Sequence, residues 1–97
     1  MMTASAPEPK KALWLHKEDN VAVALSDFSK GNAVQVEGSE ILLRDPVDYG
    51  HKFAVRDIRQ GEPIIKYAEK IGVAARDILR GEHVHVHNVK SLRARGR

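Results

Sequence analysis

The chain contains no cysteine, so a disulfide framework and a thiolate metal site are both closed to it, and nothing in it calls for an oxidising compartment. Long apolar runs are missing as well. The longest, Val21 to Leu25, is five residues, far short of the ~20 that cross a bilayer as a helix, so no membrane partner is expected. Met1 to Lys11 carries Pro7, Glu8, Pro9, Lys10 and Lys11 but no apolar segment of the secretory kind, which makes the cytoplasm the expected location. Aromatic side chains are scarce, at two Tyr, two Phe and one Trp, too few to build stacking platforms for bases. The seven glycines are all isolated, which excludes a glycine-rich phosphate loop, and no serine stands in a nucleophile-elbow context. At 97 residues the chain has the size of one small domain and is too short for a large self-sufficient enzyme. If it takes part in catalysis, it supplies only a share of a site.

The formal net charge of +3 is a property of one end. Lys90, Arg93, Arg95 and Arg97 carry four positive charges and leave the rest of the chain at −1. A basic end of this kind is usually solvated, and nucleic acid is not an expected partner. Residues 1–11 read as a flexible polar leader, residues 12–89 as the folded domain and residues 90–97 as a basic tail.

A single phrase occurs three times within the folded domain: Val23 to Gly31 (VALSDFSKG), Phe53 to Gly61 (FAVRDIRQG) and Val73 to Gly81 (VAARDILRG). Each reads as a short strand, an Asp followed by an apolar plug, and a glycine four residues after the Asp that reverses the chain at positive φ. The Asp is expected to accept hydrogen bonds from N–H groups two or three residues further on. Strands are predicted after each glycine, at Ala33 to Val36, Pro63 to Tyr67 and His83 to His87, with linking strands at Glu40 to Leu43 and Lys70 to Val73. The spacing of Asp27, Asp57 and Asp77, 30 and then 20 residues, excludes a regular solenoid. The fold class is therefore mostly β, a compact clip or barrel, with short helical turns expected at Val55 to Arg59 and Ala75 to Leu79.

All five histidines lie in the folded domain: His16, His51, His83, His85 and His87. Alternation along a strand puts His83, His85 and His87 on one face and turns Val84 and Val86 to the core. Same-face neighbours are about 7 Å apart, too far for all three to share one ion without help, whereas two of them with a ligand from elsewhere fit a single metal. The plain alternative is a polar strand face with no ligand. Gly50 lets the chain turn before His51 and Lys52, so that imidazole and ammonium face a common cleft suited to an anionic, hydroxylated substrate. Asn88 directly follows His87, and His16 stands in a loop before the Val21 strand.

These segments, Gly50-His51-Lys52-Phe53-Ala54-Val55-Arg56-Asp57-Ile58, Gly61 to Tyr67, Ile71 to Ala74 and Gly81-Glu82-His83-Val84-His85-Val86-His87-Asn88, closely resemble the small SAF-type domain of altronate and galactarate dehydratases. Asp19 to Leu25 matches the opening strand, and the resemblance spans residues 13–90. It implies a β-clip fold, either as the N-terminal part of a longer dehydratase or as a separate small subunit. The implied chemistry is metal-dependent elimination of water from a sugar acid, altronate giving a 2-keto-3-deoxy acid in hexuronate breakdown. A sibling arrangement is the alpha subunit of sulfolactate sulfo-lyase, also short and ending in a similar His-Val-His-Val-His-Asn-Val-Lys run. The resemblance implies substrate contacts from His51, Lys52, His85, His87 and Asn88, and metal ligation at His16, His85 and His87. It implies a divalent cofactor, iron or manganese, held mainly by a large dehydratase subunit. A homo-oligomer of the chain alone is compatible with it. SAF-like domains also resemble type III antifreeze proteins and occur in pilus-assembly proteins, so a non-catalytic module binding a sugar acid or a partner protein is the second functional class. Relatives often carry Gly in place of Ala68 and Pro in place of Lys17. Positive φ at Ala68 is strained, so the turn there is expected to differ slightly.

Overall fold

The computed structural model describes residues 11–91, and within them every regular element is a strand. The nine are β1 (Ala12–Leu13), β2 (Val21–Ala24), β3 (Ala33–Val36), β4 (Ser39–Leu42), β5 (Lys52–Ala54), β6 (Pro63–Lys66), β7 (Glu69–Ala74), β8 (His83–Val84) and β9 (Val89–Ser91). They form a four-stranded sheet in the order β1-β2-β5-β8, a β3-β4 hairpin and a three-stranded β6-β7-β9 sheet, with antiparallel pairing throughout. Mostly β is therefore the architecture. The short helical turns expected at Val55 to Arg59 and Ala75 to Leu79 do not form; the chain bends there and makes an isolated bridge instead.

Those bridges reveal a repeat of higher order than the three phrases. Phe28 bridges Val47, and Ile58 bridges Ile78, so the apolar plugs work in pairs. Val47 belongs to a fourth phrase, Arg44-Asp45-Pro46-Val47-Asp48-Tyr49-Gly50, which sequence reading misses because Pro46 stands where the others have Asp. Two halves then match bond for bond. Gly31 N–H donates to Leu43 O as Gly61 N–H donates to Ala74 O, and Gly50 N–H donates to Ala24 O as Gly81 N–H donates to Ala54 O. The Asp side chains reach across each pair rather than along their own turn. Asp57 Oδ1 accepts from Arg80 N–H and Asp77 Oδ1 from Gln60 N–H, both at 2.8 Å. Each half also has its own core. One cluster holds Ala22, Ala24, Phe28, Val34, Ile41, Leu43, Val47 and Phe53; the other holds Val21, Ala54, Ile58, Ile64, Ala74, Ile78 and Val84. Strand alternation along β2 and β5 sends neighbouring residues to opposite clusters.

The two hairpin turns correspond as well. Glu37 and Gly38 have φ of 48° and 75°, and Tyr67 and Ala68 have 54° and 65°. Ala68 thus adopts the strained left-handed conformation, in a turn that matches its counterpart at Glu37 and Gly38 where a slight difference was expected. Asp19 makes this tolerable: its carboxylate, 1% exposed, accepts from Ala68 N–H at 2.8 Å and from His16 N–H at 3.3 Å. Burial alone would raise the Asp19 pKa, but backbone N–H groups of Ala68, Tyr67, His16 and Leu15 outweigh it and hold the carboxyl below its ordinary value.

At the C-terminal side the fold departs from expectation twice. β9 pairs with β7 through Val73↔Lys90 and Gly72↔Ser91, so the ordered ladder extends two residues into the expected tail; residues 92–97 and leader residues 1–10 lie outside the described residues. The predicted strand His83 to His87 stops at Val84. The chain then turns over His85 to Asn88, leaving Val86 81% exposed instead of in the core.

Candidate functional site

β5 and β8 set the geometry that brings the histidines together. Lys52 pairs with Val84 and Phe53 with His83, so the next position in this antiparallel register places His51 opposite His85. Cross-strand neighbours in such a ladder have Cβ atoms about 5 Å apart. The rings respond by stacking: His51 on His85 with centroids 4.4 Å apart, His51 on His83 at 5.1 Å and His83 on His85 at 5.2 Å, all within 13° of parallel. His51 Nδ1 and His83 Nε2 are hydrogen-bonded at 2.9 Å.

Local bonds hold each backbone in place. His51 N–H donates to Asp48 O and its carbonyl accepts from Ala24 N–H. His83 N–H donates to Asp45 Oδ2 at 2.9 Å, and His85 N–H donates to Asn88 Oδ1 at 3.0 Å. Asn88, only 1% exposed, spends its amide on the turn, donating in addition to His83 O at 2.9 Å. It braces the turn beneath the site, and it also lines the hollow that His83 and His87 border. The element that sequence reading does not reveal is Asp45, which sits in the fourth phrase.

Electrostatics favour the neutral form of two of these imidazoles. Burial first, then the His51, His85 and His87 rings, push His83 below its ordinary pKa, against a smaller opposing pull from Asp45. Burial, then His51, Lys52 and His87, do the same to His85. Lys52 is itself lowered, chiefly by burial and then by the Lys66 charge. Neutral imidazoles carry free lone pairs, which suits proton abstraction or metal ligation.

Comparison with known proteins assigns the family. Residues 10–92 match the altronate/galactarate dehydratase SAF domain. This chain belongs to that family. The SAF domain is 43% identical over 82 residues to altronate dehydratase of Bacillus subtilis, covering 84% of this chain and 16% of that protein. It is 48% identical over 77 residues to altronate dehydratase of Escherichia coli, covering 79% and 16%. The (2R)-sulfolactate sulfo-lyase subunit alpha of Chromohalobacter salexigens is 49% identical over 51 residues, 53% of this chain and 54% of that subunit. The chain thus spans 16% of the length of these dehydratases. Among the described residues no helix is long and apolar enough to cross a membrane.

The SAF domain brings together only some of the residues read from the sequence. Of the implied metal ligands His16, His85 and His87, only His85 is in the imidazole cluster; its companions are His51 and His83. His16 lies exposed in the loop after β1, its Nδ1 accepting from Glu18 N–H. His87 is exposed, and its ring tilts by 38° against His83 at 5.3 Å. It borders a separate hollow with Asp45, Arg76, Glu82 and His83. The hollow that Lys52 lines includes His85 and not His51. Alternation on β5 turns Lys52 to the other face, where it lines this apolar hollow with Ile64, Ile71, Val84 and Val89. His85 borders that hollow too, and so joins the Lys52 side to the stacked rings.

Proposed function

We propose that this SAF domain belongs to a lyase that eliminates water from a sugar acid, of the altronate dehydratase kind, with its site completed by a large subunit. The observation that supports this most is the family match over residues 10–92 together with the 48% identity to a protein named altronate dehydratase. Elimination begins when a base takes the proton α to the carboxylate. The electron pair forms the C2–C3 double bond as the C3 hydroxyl leaves with a proton, and the resulting enol tautomerises to a 2-keto-3-deoxy acid. Lys52 offers an ammonium for the substrate carboxylate, at the edge of a hollow whose apolar walls strengthen that pairing. His85 borders the same hollow and offers an imidazole for a hydroxyl, and Asn88 fixes where it stands. A divalent metal, iron or manganese, held mainly by the large subunit, supplies Lewis-acid stabilisation of the developing charge when bound.

The test is reconstitution. The chain is mixed with a large dehydratase subunit and given altronate, with the 2-keto-3-deoxy product assayed chemically. Turnover that needs both chains supports the reading; tight binding of the acid by this chain alone, with no turnover on adding the large chain, favours a non-catalytic binding module. A second lyase reading is the alpha subunit of a (2R)-sulfolactate sulfo-lyase, favoured by the 49% identity to a subunit that is itself short. Sulfite release from sulfolactate in the same reconstitution would select it.

A further inference from the structure

We propose that His51, His83 and His85 form a binding site for one divalent transition-metal ion of borderline softness, such as zinc(II) or cobalt(II). The site is built by this chain alone, and its existence does not depend on the dehydratase reading. Geometry carries the inference. One ligand nitrogen from each ring lies within 4.8 Å of the other two. Nitrogens sharing a tetrahedral ion at bonds of about 2.0–2.1 Å stand about 3.3 Å apart. The His51–His83 pair is already closer than that, at 2.9 Å. The rings are stacked within 13° of parallel, and an imidazole lone pair lies in the ring plane, so binding turns the rings about χ2, a soft torsion for histidine, until the three lone pairs converge on the ion.

The backbones would be costly to move, and they are pinned. Asp45 and the Phe53 ladder partner hold His83, Asn88 holds His85, and the bonds to Asp48 and Ala24 hold His51. Pre-set ligands lose little entropy on binding an ion. The donor set is also selective. Three imidazoles without a carboxylate suit zinc, cobalt or iron(II) and disfavour manganese and magnesium, which prefer oxygen. A three-ligand set leaves the fourth position to water or a small anion.

The full chain, free of any histidine tag and stripped with a chelator, is titrated calorimetrically with zinc chloride and, separately, with cobalt(II) followed by visible absorption. One ion per chain is expected, with the intense cobalt bands of a low-coordinate nitrogen site. His83→Gln and His85→Gln each weaken zinc binding about tenfold or more, whereas His16→Gln and His87→Gln bind as the unaltered chain does. Should His83→Gln fail to fold, His51→Gln, which lies outside the strand ladder, provides the same comparison. Absence of saturable zinc binding overturns the proposal. So does equal loss in His16→Gln, or full retention in the folded His51 and His85 variants.

Discussion

Gly61 and Gly81 close equivalent phrases with nearly equal φ, 88° and 92°, yet their surroundings differ sharply. A Cβ at Gly61 would meet nothing within 4 Å, whereas one at Gly81 would run into the carbonyl oxygen of Leu42, a backbone atom that cannot swing aside. Alanine at either position incurs the left-handed penalty, about 1–3 kcal/mol. Only at position 81 does overlap add to it, by about 1–3 kcal/mol more on the scale of overpacked cores. Gly81 is also clamped on both sides, its N–H donating to Ala54 O and its carbonyl accepting from Arg44 N–H, so the clash is not relieved by a local shift. For a domain of this size each kcal/mol moves Tm by about 4–8 °C. Gly61→Ala should therefore lower Tm by about 5–15 °C and Gly81→Ala by about twice as much, measured by thermal unfolding followed by circular dichroism. Since Gly81 leads directly into β8, the second variant should also weaken zinc binding while the first leaves it intact. Equal destabilisation by the two substitutions would refute the reasoning, because it would mean that φ alone sets the cost.

Further expectations follow from the polar anchors and the strained turn. Asp19→Ala removes a charged acceptor of two backbone N–H groups and should cost about 3 kcal/mol in urea unfolding. Because the folded Asp19 pKa lies below the ordinary 3.8, its contribution is complete above that value and is lost as pH falls through the folded value; an Asp19→Asn chain should show a flatter acid limb. Asn88→Ala should cost about 1–3 kcal/mol by orphaning the N–H of His85 and the carbonyl of His83, and amide exchange at His85 should speed up; an unchanged exchange rate would contradict the assigned role. Ala68→Gly relieves the φ of 65° and should stabilise by about 0.5–1 kcal/mol, the left-handed strain less the entropy of a more flexible unfolded chain.

Legibility in the sequence tracks the range of the interaction concerned. The strand Ala33–Val36 and the positive φ at Gly31, Gly61 and Gly81 are readable because each is decided by a few adjacent residues. The run from His83 to His87 looks like one strand because Val84 and Val86 alternate, but Asn88 bonds back to His83 and His85 and turns the chain after Val84. The direction of the Asp57 and Asp77 side chains escapes a local reading for a related reason. A local turn bond and a bond to a partner phrase about 20 residues away call for the same residue type. The imidazole cluster is hidden until the β5–β8 register is known, since His51 and His83 are 32 residues apart and nothing in their spacing announces a pairing. Residue type suggests a histidine face; pairing decides which histidines stack together.

The alternation along β2 and β5 has a consequence for how the domain comes apart. Val21 and Ala54 belong to one core and their immediate neighbours Ala22 and Phe53 to the other, so a single two-stranded ribbon is the shared wall of both. Neither half can open without stripping apolar cover from its sibling. The two cores therefore behave as a single cooperative block, and a histidine cluster mounted on the edge of that ribbon has the whole domain, rather than one hairpin, as its rigid support.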